Sequence, residues 1–94
     1  MVELERRINM GELQRAPNIG KELERQLQEI GVETVGQLRN LGAKEAWLRI
    51  LARDPSACLH RLSALEGAVR GVPKKELDEA VKADLKAFYR RHKG

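Results

Sequence analysis

Pro17-Asn18-Ile19-Gly20-Lys21 is the stretch of this 94-residue chain whose residue types and order are suited to holding an anion. Proline has no amide hydrogen and its ring clashes with the preceding turn, so a helix running up to Ala16 must stop at Pro17. Asn18 is of a type that tolerates the left-handed conformation a tight turn needs, and Gly20 lets the backbone pass close to an outside group. A helix restarting at 20–21 leaves its first amides without intrahelical acceptors. Those amides, with Lys21 beside them, suit a phosphate. The candidate binding residues are therefore Asn18, Gly20 and Lys21. The basic corner Lys74-Lys75 and the late cations Arg90 and Arg91 supply auxiliary phosphate contacts.

Other chemistry finds little support. Cys58, His60 and His92 are too few and too scattered for a metal site, and residues two apart on a helix point to different faces. The glycines punctuate helices and match neither a P-loop nor a dinucleotide fingerprint, and the only hydroxyls besides tyrosine are Thr34, Ser56 and Ser63. No acid, base and nucleophile come together, so the reading is a binding module without catalysis, cofactor or small-molecule substrate. A single cysteine fits a reducing cytoplasm, the N-terminus does not read as a signal peptide, and no apolar run is long enough for a membrane. The net charge of +4 is unevenly spread: residues 1–42 carry six Lys/Arg against seven acids, a balance of −1, and residues 43–94 twelve against seven, +5. The turn thus lies in the less basic half, with Glu22 and Glu24 close to its anion site, and strong duplex binding would need the C-terminal half.

These residues have to be positioned by helices. Residues 1–10 read as an N-terminal extension that can form a short helix, and 11–94 as one helical domain. The first arm of the hairpin covers 12–16. The second covers 20–30, with Leu23, Leu27 and Ile30 on one face and Gly31 as a left-handed cap. Ile19-Gly20, Ile30-Gly31 and Leu41-Gly42 recur every eleven residues, each marking a helix boundary. Thr34 and Gln37 have the spacing of a capping box opening a helix at Val35. The next helix covers 43–53, with Trp47 as a core residue whose N–H lies at the surface, or alternatively as a base-stacking residue. Asp54-Pro55 reads as the cap and first residue of a central core helix over 55–70. Its seam of Cys58, Leu62, Leu65, Val69 and Val72 is also a candidate for pairing two chains. Within it Glu66 pairs with Arg70 or accepts backbone amides. After Gly71 and Pro73, a last helix capped by Asp78 runs to about residue 92, with Leu77, Val81, Leu85 and Phe88 inward. Its terminal cations complement the helix dipole or contact phosphate.

The turn resembles a helix-hairpin-helix motif, with Asn18 where that motif usually has glycine. Pro17-Asn18-Ile19-Gly20-Lys21, Gly31-Val32-Glu33-Thr34-Val35, Leu38, Leu41-Gly42-Ala43, Glu45-Ala46 and Ala64-Leu65-Glu66-Gly67-Ala68 together resemble the C-terminal domain of the TfoX/Sxy regulators of DNA transformation competence. The resemblance implies an all-α fold, a small orthogonal bundle of about five helices with a helix-hairpin-helix-like N-terminal half. It also implies a bacterial, cytoplasmic protein linked to competence or transcription. Two functions stay open: weak, sequence-nonspecific DNA binding, or a protein-interaction or self-association module, for instance a homodimer, with the hairpin as scaffold.

Overall fold

The computed structural model describes residues 12–93, which form five α-helices and two single turns of 3-10 helix, with no strand among the described residues. A 3-10 turn at Leu13–Arg15 precedes α1 (Lys21–Glu29), α2 (Val35–Leu41), α3 (Ala43–Arg53) and α4 (Leu59–Arg70). A second 3-10 turn, Lys74–Glu76, leads into α5 (Glu79–Lys93). The all-α fold is as expected. The helix proposed for residues 1–10 lies outside the described residues.

The punctuation expected from sequence sets most boundaries. Gly20 is the N-cap of α1, Ile30 its C-cap, and Gly42 both ends α2 and opens α3 at φ +90°. Gly31 follows α1 at φ +91°, a value at which other L-residues are strained. The capping box forms: Thr34 Oγ1 accepts from the Gln37 amide at 3.0 Å and Gln37 Oε1 accepts from the Thr34 amide at 3.2 Å. Asp78 precedes α5, its carbonyl accepting from the Lys82 amide at 2.9 Å.

Two boundaries differ from expectation. The first arm of the hairpin is the short 3-10 turn rather than an α-helix, with the Leu13 amide donating to the Glu24 carboxylate at 3.2 Å. The central helix starts at Leu59, with Cys58 as N-cap, four residues later than Pro55. The reason lies in Asp54, whose Oδ1 accepts from both the amide and the hydroxyl of Ser56 (3.0 and 2.6 Å), folding 54–57 into a local turn that competes with helix. Its Oδ2 meanwhile accepts from Gln26 on α1 at 2.9 Å and from Arg61 on α4 at 2.8 Å.

α4 is the hub, packing against α2, α3 and α5. Leu62, Ala64, Leu65, Gly67 and Ala68 are all buried and, at 100° per residue, occupy more than half of its circumference. Of the seam considered for pairing two chains, Leu62 and Leu65 are fully enclosed within the domain, whereas Cys58, Val69 and Val72 are half-buried. Trp47 lies at the centre, 0% exposed. Its N–H is not at the surface: Nε1 donates to the Cys58 carbonyl at 3.2 Å, so the start of α4 satisfies it. Phe88 and Tyr89 of α5 stand 6.0 and 5.7 Å from the Trp47 ring, centroid to centroid. The chain's three aromatic side chains thus form one cluster inside the fold and make no base-stacking platform.

Candidate nucleic-acid interface

The turn before α1 has the backbone its sequence calls for. Asn18 adopts φ +72° and Gly20 is extended, with no side chain capping the helix. The first helical bond runs from the Glu24 amide to the Gly20 carbonyl at 3.0 Å, so the amides ahead of Glu24 lack intrahelical acceptors. Lys21 is exposed at this end. The two acids expected to crowd the site are both engaged. Glu24 is only 6% exposed and faces the 3-10 turn, accepting from the Leu13 amide and, at 2.6 Å, from Gln14 Nε2. Glu22 is exposed and ion-paired with Arg25, which also pairs with Glu29; these two carboxylates raise the Arg25 pKa, Glu22 more strongly.

Asn18 presents its amide to the protein interior. Nδ2 donates to the carbonyls of Ala64 (3.3 Å) and Val72 (3.1 Å), and Oδ1 accepts from the Lys74 amide at 3.0 Å. The turn is thereby bound to α4 and to the segment after it. Lys74, Gly20, Glu22 and His60 share one shallow depression of about 280 Å³. In its lining the buried Gln26 donates to Asp54 while its Oε1 has no partner among the described residues. Hydrogen bonds from the Ser56 hydroxyl first, and from Arg61 next, hold the Asp54 carboxyl well below the usual carboxylate range.

The remaining candidate cations are not gathered here. Lys75 is held near the start of α5, its carbonyl accepting from Lys82 Nζ at 3.3 Å. Arg90 and Arg91 lie about 17 Å from the start of that helix, at 1.5 Å per residue. There Arg91 sits over the Phe88 ring, 5.9 Å from its centroid, and Lys93 Nζ donates to the Pro55 carbonyl at 2.6 Å. Glu66 pairs with Arg70 at 2.6 Å, the first of its two expected roles. Among the described residues no cluster of His, Cys, Asp and Glu is able to hold a metal, and no helix is long and apolar enough to cross a membrane.

A larger concavity lies elsewhere. A groove of about 720 Å³ runs between α3, α4 and α5, with Leu41, Leu48, Val69 and Val81 in its walls. Lys44 and Asp84 bridge it at 2.6 Å, and that hydrogen bond lowers the Asp84 pKa.

Residues 9–89 match the family model described as the TfoX C-terminal domain. The chain belongs to that family. This TfoX C-terminal domain is 38% identical over 69 residues to Protein Sxy of Escherichia coli (strain K12), a match covering 73% of this chain and 33% of that protein. The chain therefore spans about a third of the length of the curated relative it matches. Two crystal structures from Listeria monocytogenes share its fold. An uncharacterized protein in a triclinic form is 48% identical, with TM-score 0.86 over 87% of this chain and 93% of the other. A protein of unknown function in a tetragonal form is 49% identical, with TM-score 0.79 over 81% and 94%.

Sequence reasoning missed three polar residues of the depression in this TfoX C-terminal domain, Gln26, His60 and Arg61. His60 is four residues before Ala64, a spacing that places both on one face of α4, so helical periodicity was a usable signal. The burial of Gln26 had no such signal, because its partner Asp54 is 28 residues away.

Proposed function

We propose that this TfoX C-terminal domain is a non-enzymatic module that binds duplex DNA weakly and without sequence preference, in a role linked to competence or transcription. The carrying observation is the uncapped start of α1 beside Lys21, in one depression with Lys74, while Glu24 faces away and Glu22 is paired. Free amides and lysines recognise phosphate and carry no base information, so affinity should depend on salt and hardly on sequence. Arg90 and Arg91 act as a separate contact further along α5. With about three phosphates neutralised, log affinity falls with log salt at a slope of about −3. Titrating a labelled duplex at about 50 and about 200 mM salt tests this, since phosphate binders lose most of their affinity over that range. Lys21→Glu is expected to abolish binding; an undiminished variant, or a slope near zero, would refute the mechanism.

A second reading is favoured by the apolar groove between α3, α4 and α5. In that reading the domain docks a protein, and the hairpin is scaffold. Absence of duplex binding at the lower salt would leave this reading standing alone.

A further inference from the structure

Asn18 is the one described non-glycine residue at positive φ, and its side chain spans the longest separations of any hydrogen-bonding group at the turn. Both ends of the amide are used: the NH₂ group by two carbonyls, one in the middle of α4 and one beyond its end, the oxygen by the Lys74 amide. Aspartate could accept from Lys74 but has nothing to donate to the carbonyls. Glycine would keep the backbone conformation and lose all three bonds.

Gly67 makes the arrangement possible. A Cβ at that position would stand 2.3 Å from Asn18 Nδ2, 2.7 Å from the Val72 carbonyl oxygen and 3.3 Å from Lys74 Cα. Any side chain at 67 would therefore displace the asparagine amide and the backbone it grips together. The Val72 amide, donating to the Gly67 carbonyl at 2.9 Å, holds that backbone from the other side.

We propose that Asn18, seated on Gly67, is a positioning residue that locks the hairpin turn to the Lys74 segment, so that two separately encoded cationic segments meet DNA as one surface. The proposal rests on the DNA-binding reading above. It gives Asn18 a role distinct from phosphate contact: it sets where Lys74 stands relative to the free amides of α1. Removing the lock leaves each segment attached to its own helix and free to shift against the other, so Lys74 no longer meets a phosphate when the turn does.

The test is the salt slope for a labelled duplex of about 20 base pairs, because each phosphate contact contributes about 0.9 to it. A variant that merely unfolds part of the population scales affinity equally at all salts and leaves the slope unchanged. In the otherwise unchanged protein, Lys74→Gln is expected to reduce the slope by about 1. Asn18→Gly should reduce it by the same amount, and Lys74→Gln added to Asn18→Gly should reduce it no further. Gly67→Ala, whose Cβ would displace the Asn18 amide without adding charge, provides a second variant should the glycine substitution prevent folding, and the same loss is expected. A slope unchanged in both variants, with Lys74→Gln still subtracting its full share, overturns the positioning role and leaves the DNA reading intact. If the unsubstituted protein fails to bind the duplex, both fall.

Discussion

Asn18 and Trp47 are polar-tipped side chains whose partners lie far off in sequence, and both are anchored to backbone carbonyls. For Trp47 the carbonyl is that of Cys58, which also accepts from the Arg61 and Leu62 amides at the start of α4. The indole thus both fills the core and holds the first turn of the hub helix. Replacing it removes a large buried side chain and leaves a void beside Phe88 and Tyr89. Trp47→Ala is expected to cost about 3–5 kcal/mol, a large share of what a domain of this size has, and urea unfolding should show it as an early midpoint or as failure to fold. The composition made Trp47 legible as core. The destination of its N–H was not, because the Cys58 carbonyl is brought to it only by the packing of α3 against α4.

At the scale of elements, local capping chemistry was legible and long-range competition was not. α2 is only seven residues long and exposes much of its surface, so its capping box carries an unusual share of its stability. Thr34→Ala removes the acceptor for the Gln37 amide and should destabilise the protein by about 1 kcal/mol, measurable as a shifted urea midpoint with unchanged m-value. Asp54 shows the opposite case. Asp-Pro is a sound signal for a helix start, yet the carboxylate is drawn to Ser56 in its own turn and to Gln26 and Arg61 across the fold, and α4 starts at Leu59 instead.

At the scale of the whole molecule, that same carboxylate ties α1, the 54–57 turn and α4, so its ionisation affects global stability. Its folded pKa is depressed below the ordinary value of 3.8. The stabilisation it gives is therefore complete above about pH 4–5, where the unfolded chain is also ionised, and is lost as pH falls toward the folded pKa. Asp54→Asn should thus be less stable than the native protein at pH 7, with the difference narrowing below pH 4; thermal melts of both proteins across pH 7 to 3 give the comparison. The same three-way tie holds Gln26, which lines the depression proposed to meet DNA. Stability and the candidate interface consequently share residues, and binding measurements at low pH would mix the two.

The sequence by itself determined where helices begin and end and which faces turn inward. Proline, positive-φ glycines, Thr34 with Gln37, and apolar residues at spacings of three and four act within a turn or two of themselves, so no distant residue is needed to read them. The first arm of the hairpin and the start of the central helix are the exceptions: the arm is a 3-10 turn bonded to Glu24, and Asp54 is drawn into its own turn by Ser56 while Gln26 and Arg61 hold its other oxygen. The tertiary structure decided the fate of the polar side chains. Whether Glu24 crowds the anion site or caps the Leu13 turn, and whether Asn18 faces solvent or grips Val72 and Lys74, depends on acceptors and donors between 10 and 56 residues away. Burying a polar group is favourable only where its partners are in place, and folding alone puts them there.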